Sequence, residues 1–212
     1  MKRNGIEPAP ERSRKTSWKE FLNRHWRQIE ARDFFTVEVW MPTGLKRFVV
    51  LFFMELSTRR IEIGGIASRP NGLWMTQIAR NVSDEEVDGF FKGKRYLIRD
   101  RDPLYTREFL TMLAEQGIES VKLPPRSPNL NAYAERFVRT IKKDCLEKMI
   151  LFGEDALRRA VHEFVAHYHF ERNHQGLRNR LIIAPKTVQT LGRVRRKQRL
   201  GGLLNYYNRV VA

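Results

Sequence analysis

The sequence predicts an α/β fold, a mixed five-stranded sheet flanked by helices, and three observations carry that prediction. Near the start, three β-rich segments follow one another, Phe34 to Trp40, Phe48 to Leu56 and Ile61 to Ala67, separated only by turn residues, so they form an antiparallel meander. From Pro70 onward, helical periodicity alternates with two short apolar runs, Arg95 to Asp100 and Ser120 to Leu123, the βα pattern that extends a sheet with parallel strands. Each helical segment carries a single apolar stripe, so the helices lie against the sheet and cover it.

The elements follow in order. Residues 1–16, MKRNGIEPAPERSRKT, hold two prolines, one glycine and many charges, and predict a mobile leader. From Ser17, the residues Trp18, Phe21, Leu22, His25, Trp26 and Ile29 recur at helical spacing and predict an amphipathic helix packed on the body. Phe34 to Trp40 alternates in the manner of a strand, Pro42, Thr43 and Gly44 turn the chain, and Ser57 to Arg60 makes the second turn. Pro70 and Asn71 open a helix with Trp74, Ile78, Ala79 and Val82 on one face. The strand ending in Asp100 is followed by Asp102 and Pro103, and then by a helix over Thr106 to Gln116. Ser127 and Pro128 give an N-cap and first-turn signal for the next helix, whose stripe is Leu130, Ala134, Phe137, Val138, Ile141 and Cys145. The last helix begins after Gly153, with Glu154 and Asp155 in its positive first turn, and buries Leu157, Val161, Phe164, Val165 and Tyr168. Residues 17–183 then form one body and residues 184–212 a basic tail.

Composition narrows the function. A chain of 212 residues holds one ordinary core. Its longest apolar run, Phe48 to Met54, is too short to span a bilayer, and no apolar signal region follows the basic start, so a cytoplasmic protein with no membrane partner is expected. The single cysteine, Cys145, excludes an intrachain disulfide and a multi-cysteine zinc site. His162, His167, His169 and His174 contain no His-x-x-x-His pair and read as structural or exposed residues. The net charge of +16 is concentrated at the ends: nine Lys/Arg against four Asp/Glu in residues 1–32, 21 against 20 in residues 33–171, and ten against none in residues 172–212. A balanced middle with cationic flanks fits a catalytic body that holds a polyanion, and nucleic acid suits that better than an anionic membrane.

Two carboxylates stand out. Asp100 closes a buried strand, and Glu135 follows 35 positions later on the flank of a helical stripe, with Arg139 and Lys142 on the same flank. Periodicity alone makes that flank a solvated face. The combination of Asp100 at a strand end, Tyr105 and Thr106 just beyond, Ser127-Pro128-Asn129 before the helix bearing Glu135, and the later YHFERNHQGL is similar to the catalytic core of the integrase core (DDE-type) family, shared by retroviral integrases and bacterial insertion-sequence transposases. The resemblance runs from Trp18 to about Leu181.

The resemblance implies a ribonuclease H-like fold and a polynucleotidyl transferase that cleaves DNA 3′ ends and transfers strands, for DNA integration and transposition. It also implies Asp33, Asp100 and Glu135 as catalytic residues and as ligands of two Mg²⁺ or Mn²⁺ ions. Glu38 and Glu55 compete with Asp33, and Asp102 with Asp100; the interval to Glu135 favours Asp100. Arg139, Lys142 and Lys143, with Arg99 and Arg101 more weakly, would hold the DNA backbone, and Arg193, Arg195, Arg196 and Lys197 in the tail would grip phosphates, with Tyr206 and Tyr207 available to stack. Implied partners are element-end and target DNA, further copies of the chain, and a separate helix-turn-helix chain supplying end recognition in a bacterial nucleoid. Two other readings stay open: a ribonuclease H-like nuclease, and a DNA-binding remnant that has lost catalysis.

Overall fold

The computed structural model describes residues 18–83, 90–91, 93–123, 131–185 and 191–210; the expected leader, the Ser127-Pro128 helix start and Leu130 lie outside them. Helix α1 (Trp18–His25) leads through a 3-10 turn (Trp26–Gln28) into β1 (Ile29–Met41), so Ile29, expected on the helix, is the first residue of the sheet. β1 pairs antiparallel with β2 (Gly44–Glu55), and β2 with β3 (Ile61–Ala67). After α2 (Gly72–Ser83), β4 (Tyr96–Arg99) runs parallel to β1, and after α3 (Arg107–Glu115), β5 (Glu119–Lys122) runs parallel to β4. The order β3-β2-β1-β4-β5 puts β1 at the centre of a mixed sheet with the ribonuclease H-like arrangement.

Strand parity sorts the core onto two faces. Ile29, Ala31, Phe35, Phe52 and Ile98 pack with Phe137 of α4 (Ala132–Asp144) and Phe164 and Tyr168 of α5 (Glu154–Phe170). Leu51, Phe53 and Leu97 pack with Met75 and Ile78 of α2 and with Phe109 and Leu113 of α3. The second layer needs a glycine: a Cβ on Gly65 would stand 2.9 Å from the Trp74 ring, so its absence lets α2 settle on β3. Side-chain caps start two helices. Asn71 Oδ1 accepts from Trp74 N at 2.9 Å, and Thr106 Oγ1 accepts from Phe109 N at 3.3 Å.

Two charged residues of β1 are buried on the α2/α3 face. The Arg32 guanidinium lies 3.5 Å over the Tyr105 ring and 4.7 Å from Phe109, with no hydrogen-bond partner among the described residues. Both Glu30 oxygens are likewise unpartnered among the described residues, and burial pushes this carboxyl well above the usual glutamate range.

The expected tail is an ordered ribbon. β6 (Arg193–Arg199) pairs antiparallel with β7 (Leu204–Val210), and its turn end is tied to the body. Arg199 donates to both Glu171 oxygens at 2.9 Å and to Glu163 at 2.7 Å, Lys197 lies 3.2 Å from Glu171, and Leu204 is buried in the α4/α5 layer. Burial opposes charge on Glu171, but Arg199, His167 and Lys197 outweigh it and bring its pKa down to about 2.

One clip aligns α4 with the centre of the sheet: buried Asn131, the residue before the helix, donates Nδ2 to the Arg32 carbonyl at 3.1 Å. Asn131→Ala leaves that carbonyl without its partner and is expected to lower stability by about 1–3 kcal/mol, read by denaturant unfolding.

Candidate active site

The site follows from the β1–β4 register. The last parallel pair is Ala31 with Ile98, and Asp33 and Asp100 are each two residues further on. Both therefore project on the α4/α5 face at neighbouring strand positions, where strands stand roughly 4.8 Å apart. Asp33 is the fifth residue of the thirteen in β1, well inside a strand that the sequence pattern started only at Phe34. Glu135 lies in the first turn of α4, which the Asn131 clip holds against the strand residue preceding Asp33.

Electrostatics report the convergence. Burial, together with the Asp100, Glu135 and Asp102 carboxylates, pushes the Asp33 pKa up to about 6, against a hydrogen bond accepted from the Phe34 amide at 2.8 Å. All four acids are half-buried. Asp100 Oδ1 accepts only a long bond of 3.3 Å from the Asp102 amide, whereas Asp102 Oδ1 caps the following turn by accepting from Leu104 N at 2.8 Å. Glu135 makes no side-chain bond to Arg139, and its carboxylate is uncommitted among the described residues. Beneath the acids the Arg32 guanidinium, its pKa brought down to about 9 by burial, supplies positive potential felt by Asp100 and Asp102.

The competitors of Asp33 are otherwise engaged. Glu55 is bound by Lys94, Ser57 and Thr58, and exposed Glu38 lies 3.4 Å from Arg47. The histidines are structural, as expected: His169 Nε2 accepts from Ile61 N at 2.9 Å, burial holding its pKa at about 4; His167 pairs with Glu171 at 3.1 Å; His174 Nε2 lies 2.7 Å from the Tyr168 carbonyl. Among the described residues, no three His, Cys, Asp or Glu side chains form a ready-made metal cage. The acids nonetheless fit a hard divalent cation in kind, since carboxylate oxygens are the donors such an ion takes.

Of the cations expected to hold DNA, exposed Arg139 and half-buried Lys142 lie on the Glu135 side of α4, and exposed Lys143 lies nearer Arg136. Arg99 is not beside the acids. Its parity turns it to the α3 face, where Nε donates to Ser120 Oγ at 2.6 Å and braces β4 against β5. Arg101 is exposed just past β4, and Arg193, Arg195, Arg196 and Lys197 are exposed along β6. The pattern gave no hint of the Arg32–Tyr105 stack; charged residues alternating at 30 and 32 ahead of an apolar strand are the only trace it leaves.

The order β3-β2-β1-β4-β5, with Asp33 inside β1 and Asp100 just past β4 on one face of the sheet, defines the ribonuclease H-like fold class. Within that class, residues 116–181 match the integrase core domain family, a span that includes Glu135 and the segment Glu171 to Leu177 and bears out the resemblance read from the motifs. No curated protein matches the sequence. Solved structures that resemble the chain include the catalytic core domain of BIV integrase, at 14% identity and TM-score 0.41 over 56% of this chain and 68% of that one. A chain of the simian T-cell lymphotropic virus intasome is similar at 11% identity and TM-score 0.36 over 55% of this chain and 42% of that one. No helix among the described residues is long and apolar enough to cross a membrane.

A charged Asp33 is disfavoured in the fold, so its contribution to stability is lost as pH rises from the ordinary 3.8 through about 6. Asp33→Asn keeps an acceptor for the Phe34 amide and removes the charge. Without added metal, this variant is expected to melt higher than the parent at pH 7.5, to keep a smaller advantage at pH 5, and to lose it only near pH 3.8 and below, as read by thermal denaturation across that range.

Proposed function

We propose that the chain is the catalytic core of a DNA strand-transfer enzyme, a transposase or integrase, with Asp33, Asp100 and Glu135 as its catalytic carboxylates and as the ligands of Mg²⁺ or Mn²⁺. The observation that carries this reading is the electrostatic coupling of Asp33 to Asp100 and Glu135, acids from three separate elements. The match of residues 116–181 to an integrase core adds to it. When bound, a pair of divalent ions supplies Lewis acidity to the attacking and departing oxygens of the scissile phosphodiester.

The chain's own residues do the rest. The three acids would hold the ions, and Arg139 and Lys142 steady the flanking DNA backbone from the same side of α4 as Glu135. In the first reaction, water forms a bond to phosphorus while the bond to the 3′ oxygen breaks, leaving a free 3′-hydroxyl at the element's end. In the second, that hydroxyl attacks a target phosphodiester, loses its proton, and displaces the target's 3′ oxygen. One phosphodiester replaces another, so no nucleotide triphosphate is consumed. Joining two ends calls for at least two copies of the chain on the DNA.

The β6–β7 ribbon suits the DNA-holding role. A two-stranded ribbon has the width to enter a major groove, and Arg196, Tyr207 and Arg209 share its outer face, while Arg193, Arg195 and Lys197 lie on the other.

Nicking and strand transfer on element-end DNA in Mg²⁺ or Mn²⁺ are expected to disappear in Asp100→Asn and in Glu135→Gln with folding intact by circular dichroism; full activity in either variant overturns the assignment. Preferential cleavage of an RNA–DNA hybrid would identify a nuclease instead. Arg195→Gln combined with Arg196→Gln is expected to weaken duplex binding and to reduce the slope of log affinity against log salt by about two, measured by a salt titration.

A further inference from the structure

α4 has two polar flanks separated by its buried stripe Ala134, Phe137 and Ile141. Glu135, Arg139 and Lys142 occupy one. On the other, Tyr133 and Arg136 line a cavity of about 340 Å³, closed by Arg59 from the β2–β3 turn and by Tyr168, Arg172 and His174 at and beyond the end of α5. Three arginines and no carboxylate line it among the described residues.

Arg59 is held in place without a carboxylate partner among the described residues. Arg59 lies 3.4 Å over the Tyr133 ring and 5.3 Å from Trp26, and one of its nitrogens donates to the Leu56 carbonyl at 2.7 Å. Its electrostatic neighbours are Tyr133, Tyr168 and Arg136, none of them an acid. Among the described residues, no carboxylate is within ion-pair reach of Arg59 or Arg136, and Arg172 commits one nitrogen to Asp144 at 2.6 Å. A guanidinium fork fixed on aromatic rings, as that of Arg59 is, suits phosphate oxygens, exposed Arg136 adds a second cation, and the Tyr133 ring offers a stacking plane for a base. Ligand pockets run from roughly 300 to 1,000 Å³, so a cavity at the lower end suits one nucleotide and excludes a paired duplex step. Asn173 and Gln175 at its edge carry amides that can both donate to and accept from a base.

We propose that this cavity is a second DNA seat, which takes one unpaired nucleotide with its phosphate on Arg59 and Arg136 and its base beside Tyr133. The inference rests on the DNA-processing reading for the choice of DNA as the strand, and on the cavity alone for the site. With α4 between them, the acid cluster and this seat engage a strand on opposite sides of one helix, so DNA opened at the acids has a place for a nucleotide that has left the duplex.

The test is fluorescence anisotropy of a labelled short oligothymidylate with the full chain in chelator, alongside a duplex of the same length. Arg136 is exposed, so Arg136→Gln preserves the fold; it is expected to weaken oligothymidylate binding roughly three- to tenfold and to reduce the salt slope by about 0.7, one single-strand phosphate contact. Arg59→Met is expected to act in the same direction, and a strand carrying 5-iododeoxyuridine should photocrosslink to the peptide containing Tyr133. Equal affinity and slope in the parent and Arg136→Gln, or no oligothymidylate binding at all, overturns the seat. Oligothymidylate binding that depends on Arg136, with no metal-dependent cleavage of any DNA, would leave the seat standing and count against the strand-transfer reading alone.

Discussion

The parallel pairing of β1 with β4 is the constraint on which the site depends. A parallel ladder fixes which residues stand side by side, and a shift of one position would turn every side chain of one strand to the opposite layer. With Ala31 level with Ile98, Asp33 and Asp100 are neighbours on the face that α4 covers; a shift of one would set Asp33 beside Arg99 or Arg101, which point the other way. The register is itself held by packing, since Ile29, Ala31 and Ile98 lie in one layer and Leu97 in the other, and slippage would expose both sets. Hydrophobic burial therefore fixes the positions of two carboxylates that add nothing to the core.

Bringing like charges together costs stability, and the fold offsets the cost from beneath. Arg32 stands on β1 between the acid layer and the α3 layer, stacked on Tyr105, which in turn stacks on Phe34 at 5.2 Å. A guanidinium without a carboxylate partner is an expensive group to bury, and the aromatic faces recover only part of its lost hydration. Its field reaches Asp100 and Asp102, so the same charge that costs solvation lowers the repulsion across the sheet. Tyr105, one of the motif residues after Asp100, thus acts as a support for a cation, with its own hydroxyl buried and pushed up in pKa.

The apolar skeleton was legible in the sequence because burial follows period: β3 falls on the predicted residues, and α2, α3 and α5 start where their cap residues indicate. What escaped was whatever depended on buried charge. The strand pattern began at Phe34 because Glu30 and Arg32 break the alternation of apolar residues; in the fold both are buried, Arg32 stacked on Tyr105, and β1 continues back to Ile29. RVRRKQR has no apolar alternation to announce a strand, and its pairing is anchored instead by one ion-pair cluster and by Leu204. Asp33 and Asp100 are separated in the chain by β2, β3, α2 and β4, and only the register brings them level.

α4 converts that register into a functional division. Its buried stripe must face the sheet, which leaves exactly two flanks at its edges, and the Asn131 clip sets the height at which both meet β1. Glu135 then falls within electrostatic reach of Asp33, and Tyr133 and Arg136 line the cavity with Arg59, so the consecutive residues Glu135 and Arg136 turn to the two flanks of one helix. Neither flank could be moved without the other, because a rotation of the helix that withdrew Glu135 would also drive Phe137 out of its contacts with Phe52 at 4.7 Å and Tyr168 at 5.1 Å. The aromatic core thus sets the spacing between the acids and the arginines, and the polar surfaces of the helix inherit a geometry determined by how its apolar side packs.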